Sequence, residues 1–583
     1  SAKLGYALVI PDVLSQMSQQ LKTFITFKES LGYKVTVVGD ADLAAMPVTS
    51  LGGDAERIRL WLQKNYKTLN LKYVLLVGNP DPSRAGAPMK LTYAMATHNK
   101  YPNITPSDYY YADLTGNWDL DGDGKVAEYS DDMGQGGIDW TPEVYVGRIP
   151  VYDNNVESLD RILKKTMAYQ SPGGSRTWRK RVLQPAAMLF YDNQYGGNSI
   201  RIDGADMANT IWKQSIMPYG LSRTTLFEED GVDPSKHKGD IPLTKENLIK
   251  TWNNGYGLVL WFGHGSANGV YRTIWKSDDG NKIPDYKEIS SPSFLTFADV
   301  LRLDDSRPSI VFHGSCSNGY PERPDNIGYG LLLNGAVATA SSSRVAIVVL
   351  GGSIGTSDAN IFGVERDFTT AVVQNKSVGQ ALLEAKQKIS DTLGMLTWFT
   401  RLQINLYGDP SVTLTSCGKD ADCDDGKACN GKEVCHGGQC HAGVAVTCGS
   451  SDPCTASTCD EKTGACTESP RADGLTCEDG LFCTVNDACS KGKCLGSARC
   501  AVKDNPCVRT TCSETARTCQ LETKALAAKI CRAGTEREGT CIAGMCYPDN
   551  ADDQGCAVSG GAALNPWWLL MALGLLIRYR REK

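Results

Sequence analysis

A chain of 583 residues with 41% apolar and 22% charged side chains has the material for two to four globular domains with sizeable cores. A formal net charge of −6, with no polybasic block, excludes the electrostatic footprint of a nucleic-acid-binding protein. Of the 22 cysteines, one stands alone at position 316 and the rest fall between Cys417 and Cys556, so sulfur has two separate uses in this chain.

From the amino end, residues 5–10 form a short apolar run closed by Pro11. Met17, Leu21, Phe24, Phe27 or Lys28, and Leu31 then recur at helical spacing up to Gly32, a C-terminal cap. Residues 33–38 read as strand, Ile58, Leu60, Trp61 and Leu62 mark a second helix, and residues 73–77 are a buried strand stopped at Gly78. Strand and helix in alternation predict a largely parallel sheet with helices on both faces.

The stretch Asp119-Leu-Asp121-Gly-Asp123-Gly124, with Glu128 beyond it, places carboxylates at alternate positions before a glycine turn. Such hard oxygen donors, with the backbone carbonyl of Lys125, suit a structural Ca²⁺ of ~6–8 ligands. Position twelve of the loop is Ser130, which departs from EF-hand spacing and leaves Glu128, Asp131 or Asp132 to complete the set. An acidic turn without an ion is the plainer alternative.

A helix over 159–169 leads to a linker at 171–175, after which 182–190, 258–262, 309–313 and 336–340 read as further strands. In an open parallel sheet, ligands bind beyond the carboxyl ends of the strands. His264 falls two residues past one such end and Cys316 three residues past another, so on neighbouring strands they can face one cleft. An imidazole raises the reactivity of a thiol and protonates the leaving amine, and the adjacent glycines leave room for amides aimed at an oxyanion. The competing readings are a buried structural cysteine and a zinc set of His264, His313 and Cys316.

Gly263-His264-Gly265-Ser266, followed by Ser315-Cys316-Ser-Asn-Gly319, resembles the gingipain family of caspase-like cysteine peptidases. The similarity extends to Ser107-Asp-Tyr-Tyr-Tyr-Ala-Asp113, Pro142-Glu-Val-Tyr-Val-Gly-Arg-Ile-Pro150, Gly335-Ala-Val-Ala-Thr-Ala340 and Asn405-Leu-Tyr-Gly-Asp-Pro-Ser411. It implies a two-part α/β caspase-like domain and an endopeptidase acting on protein or peptide substrates. Cys316 would be nucleophile, His264 base and acid, and the amides of Gly265 and Cys316 the oxyanion hole. Glu143 matches the position at which the arginine-specific branch holds a carboxylate against the histidine. An acid such as Asp153 would select Arg or Lys before the scissile bond, and His313 is expected in the core.

Beyond residue 415, the intervals between cysteines are 5, 5, 4, 7, 5, 4, 6 from Cys423 and 5, 5, 4, 5, 6, 4, 6 from Cys477, an eight-cysteine repeat. With few large apolar side chains such a segment needs cross-links, and disulfides imply export; zinc knuckles favour shorter CxxC pairs. The uncharged stretch 557–577, followed by Arg578-Tyr-Arg-Arg, is long enough to span a membrane with its basic end inside. Gly555-Cys556, a spacer, Pro566, an apolar run and an Arg cluster resemble the C-terminal sorting segments of myxobacterial surface proteins, which would make Cys556 a processing or lipid-attachment site.

The expected division is 1–175, an N-terminal subdomain with the calcium loop; 176–415, the catalytic subdomain; 416–550, disulfide repeats; and 551–583, a sorting and transmembrane segment. The expected function is an exported cysteine endopeptidase at the cell surface or outer membrane, held to the membrane by its tail. The alternative is an inactive caspase-like surface adhesin.

Overall fold

The computed structural model describes residues 3–47, 51–94, 104–171, 176–197, 199–346, 360–390, 394–415, 420, 423–424, 426–436, 439–441, 443–500, 508–523, 531–532, 538–542 and 545–548. The chain divides into two compact units, Ser1–Ala445 and Val446–Lys583. The first cysteines of the repeat therefore fall in the first unit.

The first unit is built on one sheet of eleven strands. In chain order these are β1 (Leu4–Val9), β2 (Tyr33–Val38), β3 (Leu71–Gly78), β4 (Tyr145–Pro150), β5 (Arg181–Ala186), β6 (Ser222–Phe227), β7 (Ile241–Pro242), β8 (Leu258–Phe262), β9 (Ser309–Gly314), β10 (Ala336–Ser342) and β11 (Ile404–Gly408). The spatial order is β7-β6-β5-β8-β9-β10-β11-β4-β3-β1-β2. Two parallel blocks, one from each half of the chain, thus share a single sheet. Only β11 runs antiparallel to its neighbour β10, and it meets β4 at the pair Tyr407 and Arg148.

Apolar residues on successive positions go to opposite faces, as the two-residue period of a strand requires. Leu258, Leu260 and Phe262 of β8, with Ile310 and Phe312 of β9, join one core that includes Phe362 and Phe368 of the helix Ile361–Val373. Val259, Trp261 and Val311 join the opposite core, with Leu248 and Trp252 of the helix Lys245–Trp252. Helices on both faces explain why these strands read as unbroken apolar runs instead of alternating ones.

The ordered motifs outside the His-Cys pair lie along the seam between the blocks. Arg148 is wholly buried and binds Asp108 through Nε at 2.7 Å and Nη2 at 2.5 Å, and the Asp108 amide donates to Asn405 Oδ1 at 2.8 Å. Gly147 is required by close approach, since a Cβ there would sit 2.5 Å from the Gly408 carbonyl. Lys28 occupies a helix position that would otherwise be apolar. It is fully buried, ion-pairs with Asp409, and donates to Gln170 Oε1 and Ser411 Oγ, each at 2.7 Å.

The second unit is a series of small hairpins joined by disulfides. Hairpins Thr455–Cys459 with Cys466–Pro470, Thr484–Ser490 with Lys493–Ala498, and Val508–Ser513 with Thr518–Thr523 follow one another. Cys448 pairs with Cys466 and Cys500 with Cys519, the same two positions of each repeat. Cys454–Cys489 and Cys483–Cys512 link one hairpin to the next, and Cys477 bonds Cys494. Among the described residues no helix is long and apolar enough to cross a membrane. The 557–577 stretch and Cys556 lie outside the described residues.

Candidate active site

The two strands that carry the candidate dyad are neighbours in register. β8 and β9 run parallel from Leu258 opposite Ile310 to Phe262 opposite Gly314. His264 and Cys316 therefore each stand two residues past the last matched pair. The Gly263 amide extends the ladder to the Gly314 carbonyl at 3.2 Å.

Beyond β8 the chain forms the short strand His264–Ser266, which pairs with Gly269–Tyr271 and through it with Ser293–Thr296. This hairpin lies directly against the cysteine loop. A Cβ on Gly265 would fall 2.2 Å from the Cys316 carbonyl oxygen and 2.7 Å from its amide nitrogen, a separation no side chain tolerates. Asn318 fastens the contact from the other side, with Nδ2 donating to the carbonyls of Ser266 at 2.7 Å and Gly269 at 3.2 Å. Its Oδ1 takes the hydroxyl of Ser315, whose Oγ also receives the Trp261 indole N–H at 2.9 Å. Ser317, next to the nucleophile candidate, has φ 54°, a left-handed conformation that a non-glycine residue adopts only under constraint.

His264 is half-buried, and its Nε2 lies 2.8 Å from the Leu189 carbonyl. A carbonyl only accepts, so Nε2 carries the proton and Nδ1 keeps its lone pair. The Phe190 ring meets the imidazole edge-on with centroids 5.1 Å apart. Burial lowers the imidazole's pKa from its ordinary value, with the Leu189 bond opposing. Cys316 Sγ lies 3.6 Å from the Ala346 carbonyl, and burial raises the thiol's pKa, partly offset by backbone hydrogen bonds of Ala346 and Gly265. Both shifts favour the neutral thiol and the neutral imidazole over their charged forms.

Residues 1–415 match Peptidase family C25. The chain belongs to that family. Gingipain R2 and gingipain R1 of Porphyromonas gingivalis are each 24% identical to this C25 chain over 264 residues, 45% of its length. The chain spans only 28% and 21% of those relatives. The crystal structure of the Arg-specific cysteine proteinase gingipain R superimposes with a TM-score of 0.50 at 17% identity, covering 71% of this chain and 79% of that one. That likeness establishes a common fold.

The hydrogen bonds of Glu143 go to the turn at Leu114 and Thr115. Its carboxylate accepts the Leu114 amide at 2.7 Å and the Thr115 hydroxyl at 2.9 Å, capping a turn next to Asp113. It precedes β4, and β9, β10 and β11 lie between that strand and β8. The hydrogen bond of His264 goes to the Leu189 carbonyl, a partner invisible to any motif. Asp153 is exposed in the turn after β4. His313 is fully buried against Trp261 with ring centroids 4.1 Å apart, its pKa pushed down to about 3 by burial. Among the described residues, His264, His313 and Cys316 do not form a set whose ligand atoms lie within 4.8 Å of one another.

The acidic segment folds as turns and bends with no helix, so it is no EF-hand. Carboxylate oxygens of Asp119, Asp121 and Asp123 lie within 4.8 Å of one another, as do those of Asp121, Glu128 and Asp131. These hard donors fit Ca²⁺. Asp132 instead accepts the amides of Leu120 and Glu128, at 2.5 and 2.9 Å. Lys125 brings its ammonium against Asp123 at 2.5 Å and Glu128 at 3.7 Å, an internal cation that a bound ion would displace.

Proposed function

We propose that this chain is a cysteine endopeptidase in which Cys316 attacks the peptide carbonyl and His264 handles the protons, with preference for Arg or Lys before the scissile bond. The observation that carries this reading is the apposition of Gly265 on Cys316, which brings the histidine hairpin and the cysteine loop together at adjoining strand ends.

As sulfur bonds to the carbonyl carbon, the thiol proton passes to Nδ1 of His264, held ready because Nε2–H is committed to Leu189. The developing oxyanion would be met by the amides of Gly265 and Cys316, fixed dipoles that need no reorganisation. Collapse expels the amine, which takes the proton back from the imidazolium, and leaves a thioester. Water, deprotonated by the same imidazole, then hydrolyses it. No carboxylate is needed, since a carbonyl suffices to hold the tautomer.

The acidic loop is proposed to hold Ca²⁺ through Asp119, Asp121, Asp123, Glu128 and the carbonyl of Lys125. The disulfide-linked second unit supports export to an oxidising compartment, and surface attachment through the C-terminal segment is part of the same proposal. Peptide-library digestion with purified protein beside Cys316→Ala tests the central reading. Cleavage by wild type, abolished by the substitution and by thiol alkylation, is expected; wild type that cuts no peptide while Cys316 is fully alkylatable refutes it.

A further inference from the structure

The carbonyl that binds His264 belongs to an extra residue in a strand. The segment Met188–Phe190 pairs with Ile202–Asp203, with Met188 opposite Asp203 and Phe190 opposite Ile202. One strand therefore advances two residues while the other advances one, and Leu189 has no partner in this pairing. Such a bulge re-aims the groups of the residue it inserts. Here the Leu189 carbonyl meets two donors, His264 Nε2 at 2.8 Å and the hydroxyl of Thr273 at 3.2 Å. A carbonyl oxygen has two lone pairs, one for each.

Thr273 is buried and grips the bulged segment through its main chain as well. Its amide donates to the Met188 carbonyl at 3.2 Å, and its carbonyl accepts the Tyr191 hydroxyl at 3.1 Å. Two residues earlier, Tyr271 stands opposite His264 in the histidine hairpin. Arg272, between them, is buried and donates from Nε to Glu228 Oε2 at 2.8 Å, while the Glu228 amide donates to the Ala186 carbonyl at the end of β5. Residues 271–273 thus tie the strand that carries the histidine to the bulge that binds its ring.

We propose that Thr273 is a positioning residue for His264, its hydroxyl fixing the direction of the Leu189 carbonyl and so the orientation of the imidazole. This assignment rests on the peptidase reading. A carbonyl outside the ladder and held by one donor can tilt with the ring it binds. A second donor on the other lone pair removes that freedom, as supporting hydrogen bonds do for groups that must be held within about 0.5 Å of a productive geometry. When the thiol proton reaches Nδ1, the imidazolium finds its acceptor already in place and nothing has to reorganise. Thr273 touches neither substrate nor sulfur in this scheme and acts through Leu189 alone.

The test is steady-state kinetics on one fluorogenic peptide with wild type, Thr273→Val, Thr273→Ala and Thr273→Ser, each with its melting temperature. Thr273→Val and Thr273→Ala should lower kcat by about 10-fold, a fraction of the about 100-fold that a 1 Å misplacement costs. Their KM should stay within about two-fold of wild type, because ground-state binding does not use the proton acceptor. Thr273→Ser keeps the hydroxyl and should restore kcat to within about two-fold of wild type. Thr273→Ala sets no methyl group against the carbonyl, and it carries the test if Thr273→Val does not fold. Wild-type kcat in Thr273→Ala, a loss expressed in KM instead of kcat, or a loss in Thr273→Ser equal to that in Thr273→Ala overturns the assignment. Wild type that cuts no peptide sinks the peptidase reading itself, and this assignment with it.

Discussion

Gly265 and Cys316 approach so closely that a methyl group on the first would fall 2.2 Å from the carbonyl oxygen of the second. The histidine hairpin and the cysteine loop thus meet backbone to backbone. Gly265→Ala should push these segments apart and lower kcat/KM by about 100-fold, as misplacement of reacting groups by about 1 Å does. The melting temperature should fall as well, since overpacking of this kind costs about 1–3 kcal/mol. Measurement of kcat/KM with the melting temperature of the same preparation checks both.

Burial pushes His264 down and Cys316 up, so the resting pair is neutral. Protonation of His264 removes the base, so activity should persist as pH falls to the ordinary imidazole value of ~6.5 and be lost only below it. In the same way, alkylation of Cys316 by iodoacetamide should accelerate only above the ordinary thiol range of ~8.5. An alkylation inflection near neutrality would show a preformed thiolate–imidazolium pair and contradict this assignment.

Asp121 is common to both carboxylate trios of the acidic loop. Ca²⁺ at 100 times its dissociation constant should stabilise the protein by about 2.7 kcal/mol, and EGTA should remove that increment. Asp121→Asn should melt at one temperature with or without Ca²⁺. A wild-type melting curve indifferent to both reagents would leave the loop as an acidic turn held by Lys125.

Lys28 and Asp409 are both fully buried and joined across the two blocks of the sheet. Removing the ammonium strands a carboxylate in the core, so Lys28→Met should cost about 3–5 kcal/mol in denaturant unfolding. A double substitution, Lys28→Met with Asp409→Leu, should recover part of the loss. Full additivity of the two single changes would mean the pair is not coupled.

The strand runs, the helices between them and the ends at which His264 and Cys316 stand were legible because local periodicity encodes them. The repeat of cysteine intervals likewise announced disulfides. Glu143 matched a motif by position, and position alone does not tell that its carboxylate accepts from Leu114 and Thr115. Leu189 escaped notice because its backbone carbonyl acts, and any residue supplies one. Asn318 was part of a quoted motif, yet its two carbonyl partners lie 52 and 49 residues away.

Composition and spacing by themselves determined that this chain is an α/β domain with one thiol set apart from a cross-linked tail, since those properties follow from periodicity and residue counts. Tertiary structure alone decided that both halves share one sheet, that His264 bonds the Leu189 carbonyl, and that Glu365 lies under Gly314. Each of these depends on which strands become neighbours, and that choice is made by burial summed over the whole core, which no local stretch of sequence records.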